Sequence, residues 1–103
     1  MAKSSRFFSV RLKNGFDEWD YIAPAQTKEH ARAYFMTHDI NPVSATFLGF
    51  SKVNVYPDVY EGPIFYTTIN GQTLKYKTAD AGYLYLQELF RSQYNDAVDD
   101  LSD

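Results

Sequence analysis

The 103-residue sequence predicts an α+β fold in the order ββα-β-ββα, with an antiparallel sheet of about five strands and two helices packed on one face. Three observations carry that prediction. Two Asn-Gly dipeptides, Asn14-Gly15 and Asn70-Gly71, each join two runs of alternating apolar and polar residues. Each second run leads into a stretch of helical periodicity. A β-rich stretch from Val43 to Tyr56 separates the two units.

The first hairpin can be read to its register. With Asn14-Gly15 as a two-residue type I′ turn, Lys13 faces Phe16, Leu12 faces Asp17, Arg11 faces Glu18, Val10 faces Trp19 and Phe8 faces Tyr21. Phe8, Val10 and Leu12 then share an apolar face with Trp19 and Tyr21. On the other face Arg11 and Glu18 form an opposite-charge pair worth about 0.2–1 kcal/mol. A one-residue slip would destroy both features. Pro24 ends the second strand. Thr27 is placed to N-cap a helix running to about His38, with Glu29 at the positive end of its dipole and Ala31, Tyr34, Phe35 and His38 as its apolar stripe. Asn41-Pro42 stops that helix.

Gly49, in the middle of the Val43–Tyr56 stretch, predicts a bulge or bend. Residues 57–63, with two prolines, Asp58, Glu61 and Gly62, read as the longest loop. In the second hairpin Ile69 faces Gln72, Thr67 faces Leu74, Tyr66 faces Lys75 and Phe65 faces Tyr76. One face is therefore Phe65, Ile69, Leu74 and Tyr76, and the other is Ile64, Tyr66, Thr68, Thr73, Lys75 and Lys77. Thr78 or Asp80 caps the second helix, whose stripe is Tyr83, Leu86, Phe90, Tyr94, Ala97 and Leu101. The reading is of one domain over residues 1–95. The acidic stretch 96–103, at the unfavourable end of the helix dipole, is expected to fray. The two ββα units match in pattern but share little identity, as a common hairpin solution used twice would.

Composition narrows the function classes. The chain is large enough for one core but too small for separate substrate and cofactor domains. Nine Tyr, eight Phe and one Trp make 17% of the residues, a composition suited to contact surfaces. A net charge of −3 argues against a purely electrostatic grip on nucleic acid. Without cysteine there is no disulfide, thiolate nucleophile or thiolate metal site, in keeping with a reducing, cytoplasmic location. No signal peptide and no membrane span is expected.

The residues for chemistry are sparse. His30 and His38 are eight apart, so they do not form a helical i, i+4 metal pair. His38 is expected to be partly buried or capping, and His30 solvated. Glu18 is expected to point away from Asp17 and Asp20 and to be explained by Arg11. There is no G-x-S-x-G, no P-loop and no glycine-rich phosphate cradle. No enzyme, metal or cofactor is expected.

Two binding surfaces remain. On the second helix Tyr85 and Leu89, with Leu84, lie off the main stripe. They either pack beneath the 57–63 loop or contact a protein partner or a second copy in a homodimer. The alternative is a nucleic-acid face formed by Tyr66, Lys75 and Lys77, the composition of a stacking platform. Leu48-Gly49-Phe50-Ser51-Lys52-Val53 approaches the RNA-recognition pattern but lacks its basic residue before Gly49 and its aromatic at Lys52. Thirteen acids against ten bases is too mild an excess for mimicry of DNA. In size and composition the chain resembles small accessory proteins of phages and mobile elements, including inhibitors of host defence such as anti-CRISPR proteins. That resemblance implies a protein partner in a host cytoplasm. The expected function is thus a small non-enzymatic interaction protein.

Overall fold

The computed structural model describes residues 3–102. Its elements are β1 (Lys3–Asn14), β2 (Asp17–Pro24), α1 (Lys28–Ala33), β3 (Asn41–Asp58), β4 (Gly62–Ile69), β5 (Gln72–Tyr76), α2 (Tyr83–Leu89) and α3 (Arg91–Ser102). The strands form an antiparallel sheet in the order β2-β1-β3-β4-β5. This is the predicted class and element order, with the second helix divided in two. The chain forms two compact units, one from Arg6 to Phe50, the other from Ser51 onward together with the first residues of β1. Among the described residues no helix is long and apolar enough to cross a membrane.

In the first of these units, Phe8 pairs with Ala23, Val10 with Tyr21, Leu12 with Trp19 and Asn14 with Asp17. The turn is therefore Gly15-Phe16, not Asn14-Gly15. Gly15 has a φ of 61° while Phe16 keeps a negative one, the type II′ pattern with glycine first. The loop has moved one residue along the chain and every partner by two, so the parity of both strands is unchanged. Phe8, Val10 and Leu12 keep their apolar face, and Phe16 sits fully exposed at the tip. The gain is at Arg11. It lies opposite Asp20, 3.3 Å away, and also reaches Glu18 at 3.7 Å. Glu18 and Asp20 thus share a face, contrary to expectation, and flank the guanidinium together. All three side chains are about half exposed, so each pair is worth at most about 1 kcal/mol.

Thr27 caps α1 as predicted, with extended backbone and its hydroxyl accepting from the His30 amide at 3.1 Å. The helix ends at Ala33 rather than near His38 because Thr37 diverts the chain. The Thr37 hydroxyl accepts from the amides of Asp39 (3.3 Å) and Ile40 (3.1 Å), a local turn that competes with the helix. His38 is consequently exposed and lies off the stripe. His30 is half-buried instead of solvated: its Nδ1 accepts from the Gln26 amide at 3.2 Å and its ring lies 4.9 Å from Tyr34. Ala31, Tyr34 and Phe35 do face the core of Phe8, Val10, Leu12 and Ala25.

In the second unit β4 and β5 pair in the predicted register, with Tyr66 opposite Lys75 and Ile69 opposite Gln72. Asn70 (φ 52°) and Gly71 (φ 77°) are both left-handed, as a type I′ turn requires. Ile64 is buried although it falls on the expected polar face. The expected long loop shrinks to three residues, because β3 and β4 pair through Pro57–Pro63 and Asp58–Gly62. Asp58 closes that turn by accepting from the amides of Tyr60 and Glu61, both at 2.9 Å. These amides, that of Glu61 foremost, hold its carboxyl below the ordinary value of 3.8.

Thr67, buried on the apolar face of β4, donates its hydroxyl to the Lys52 carbonyl at 2.6 Å, so its polar atom is satisfied. Phe65, fully buried, gathers Tyr83, Phe90 and Tyr94 around it, with centroids 5.2, 6.3 and 6.4 Å away. The stripe from Tyr83 to Leu101 is thus the covering face, as predicted. The helix is interrupted at Phe90 (φ −114°, ψ 39°), and its start is set by Gly82 at φ 93° rather than by Thr78 or Asp80. Asp80 instead accepts from the Lys77 amide at 2.7 Å, spending its carboxylate on the turn before the helix. Residues 96–102 of the acidic stretch lie within α3, and Asp103 lies outside the described residues.

Candidate functional site

The most organised exposed surface is built around Gly49. In a regular strand Phe47 and Phe50, three residues apart, would point to opposite faces. Their rings instead meet edge to face at 5.8 Å. The break in alternation falls at Gly49, whose φ of 119° lies in a region that glycine enters readily and other residues do not. Both phenylalanines therefore sit on one side of β3, next to β1. Phe47 packs against the core residue Phe8, with centroids 5.3 Å apart. Arg6, two residues before Phe8 on the same face of β1, lays its guanidinium over both rings, 5.6 Å from the Phe47 centroid and 5.1 Å from that of Phe50.

Phe47 remains 42% and Phe50 65% exposed. The cluster is anchored below by the core and open above. Each cation–π contact at such an exposed site is worth about 0.5–1 kcal/mol, enough to orient the side chains without ordering the backbone. Aromatic residues, phenylalanine included, and arginine are enriched at protein interfaces. Sequence reasoning singled out Gly49 as a bulge and Phe50 within a failed RNA-recognition pattern. It missed the pairing with Arg6, which depends on strands far apart in sequence; the readable signal was an aromatic on each side of a glycine within a strand.

The residues singled out on the second helix fall on α2. Leu84 is 72% and Leu89 40% exposed, while Tyr85 is half-buried and has interactions of its own. At 100° per residue, Tyr85 and Leu89 stand about 40° apart around the helix, and Leu84 about 100° from Tyr85. Tyr66 and Lys75 are direct cross-strand neighbours, and Lys77 lies 3.9 Å from Glu61. The positive charge of that face is partly offset by Glu61 and by Asp58, whose carboxyl Lys77 and Lys75 help to keep ionised. Among the described residues no group of three or more His, Cys, Asp or Glu could hold a metal ion. No protein-family model matches the chain, and no curated protein or solved structure is significantly similar to it.

Proposed function

We propose that this chain is a non-enzymatic protein-binding module whose anchor is the Arg6–Phe47–Phe50 cluster. The observation that carries the reading is the pair of exposed phenylalanine rings on one side of β3, held there by Gly49 and overlaid by Arg6. Three side chains of this kind, preorganised on the neighbouring strands β1 and β3, lose little further entropy on binding. They suit a concave, largely apolar pocket on a protein, or the same surface of a second copy. Nucleic-acid binding through Tyr66, Lys75 and Lys77 is the weaker reading, since two carboxylates lie close to its cations.

The test is affinity capture from the native cytoplasm together with a sizing measurement, using the unaltered chain, Phe50→Asp and Leu84→Glu. Phe50 is the more exposed of the two phenylalanines, so its replacement leaves the core intact. Phe50→Asp is expected to lose the captured partner or the dimer, and Leu84→Glu to retain it. Identical partners and identical size for the unaltered chain and Phe50→Asp would refute the assignment. Loss with Leu84→Glu alone would move the anchor to α2.

A further inference from the structure

We infer that the two edge strands, β2 and β5, pair with each other between copies of this chain, so that a second copy docks by strand addition. β2 and β5 are the outermost strands, and each has one side that faces no neighbouring strand. The hairpins determine which backbone groups face that open side. Beside a two-residue loop the flanking pair exchanges both hydrogen bonds, and bonded and unbonded pairs alternate from there. On β2, Asp17, Trp19 and Tyr21 are therefore bonded to β1. The Ala25 amide, which donates to the Arg6 carbonyl at 3.2 Å, continues the same alternation. The N–H and C=O groups of Glu18 and Asp20 consequently point outward. By the same rule Gln72, Leu74 and Tyr76 are bonded to β4, and Thr73 and Lys75 point outward. All four outward residues are exposed.

Charges on an edge strand guard it against pairing with its own kind. Here the two guards have opposite signs. Two β2 edges would set carboxylate against carboxylate, and two β5 edges would crowd lysines with no carboxylate to receive them. β2 against β5 removes both penalties. In an antiparallel register with Glu18 opposite Lys75 of the second copy, Asp20 stands opposite Thr73 and Trp19 opposite Leu74. The Glu18–Lys75 and Asp20–Thr73 pairs then each exchange two backbone hydrogen bonds. Lys75 meets Glu18 directly and Asp20 on the diagonal. Within one chain Glu18 and Asp20 share the single cation of Arg11, and among the described residues Lys75 forms no ion pair. The contact thus brings an unpaired lysine to a surplus of carboxylate. On the opposite face Trp19, 38% exposed, covers the half-buried Leu74. One register therefore matches backbone, charge and apolar surface together. Because it joins unlike edges the contact is heterologous. It is independent of the Arg6–Phe47–Phe50 cluster, and either can fail without the other.

The test is sedimentation velocity on the full chain from micromolar to millimolar concentration at low ionic strength, with amide hydrogen exchange on the same samples. The unaltered chain is expected to self-associate as concentration rises. Glu18→Lys and Lys75→Glu should each weaken association severalfold or more, since like charges then face each other. The two substitutions in one chain should restore it, and so should an equal mixture of the two single variants. Phe50→Asp should leave it unchanged. Thermal melts of each variant verify folding. In the unaltered chain the amides of Glu18, Asp20, Thr73 and Lys75 should exchange more slowly at high concentration, whereas those of Trp19 and Leu74, already bonded within the chain, should not change. A chain that stays monomeric at millimolar concentration would overturn the inference. So would failure of the charge exchange to restore association, absence of slowed exchange at the four outward amides, or loss of association in Phe50→Asp, which would move the contact to the aromatic cluster.

Discussion

Tyr83 shows how a single polar atom can make one side chain's contribution depend on pH. Its ring packs edge to face on Phe65, and its hydroxyl donates to the Pro63 carbonyl in a buried position. A phenolate there would face a carbonyl oxygen with no proton to share. Burial accordingly pushes the Tyr83 phenol above the ordinary 10.0, and the neighbouring Tyr94 adds to the rise. The unfolded chain ionises near pH 10, whereas the folded chain holds the proton to higher pH. The stabilisation by the neutral phenol is therefore complete below pH 10 and is lost as pH rises through the folded value. Tyr83→Phe should lower stability at neutral pH by about 1–2 kcal/mol, because the Pro63 carbonyl loses its donor. It should also flatten the fall in stability above pH 10. Chemical denaturation of both proteins at neutral and alkaline pH checks this, and parallel alkaline slopes would show that Tyr83 is not the titrating group.

At the scale of elements, the two Asn-Gly hairpins show what was legible in the sequence and what was not. Asn70-Gly71 forms the expected turn because both residues adopt positive φ and nothing nearby competes. At Asn14-Gly15 two turns were available, Asn-Gly as type I′ or Gly-Phe as type II′, and no local preference separates them. Arg11 favours the second, in which Asp20 and Glu18 both reach it. The apolar face of Phe8, Val10 and Leu12 is the expected one even so, since a shift of two residues preserves parity, whereas Glu18 does not point away from Asp20 as expected. The end of α1 was misread because Thr37 was counted as a helix residue rather than as a turn former. Of the Arg6–Phe47–Phe50 cluster only the aromatics flanking Gly49 were legible, since Arg6 joins them only when β1 lies beside β3. Gly49 is the element on which that cluster depends. A Cβ at this position meets nothing within 4 Å, so Gly49→Ala would suffer backbone strain alone. The expected destabilisation is about 1–3 kcal/mol. The Phe47–Phe50 contact should be lost as the strand reverts to regular alternation. Thermal melts and ring-to-ring nuclear Overhauser effects measure both, and a variant of full stability that keeps the contact would show that the positive φ is not required.

At the scale of the whole molecule, a net charge of −3 sets what salt can do to a partner contact. The aromatic cluster combines two phenylalanines with one cation, so burial of apolar area dominates what it can contribute. Between about 0.05 and 0.5 M monovalent salt the screening length shortens from roughly 14 to 4 Å, which weakens attraction between partly exposed charges but leaves apolar burial nearly untouched. Partner capture that depends on Phe50 should therefore persist at high salt. Capture by the unaltered chain and by Phe50→Asp, measured across one salt series, checks this. A steep loss of capture by the unaltered chain at high salt would show that charge, and not the phenylalanine pair, holds the partner.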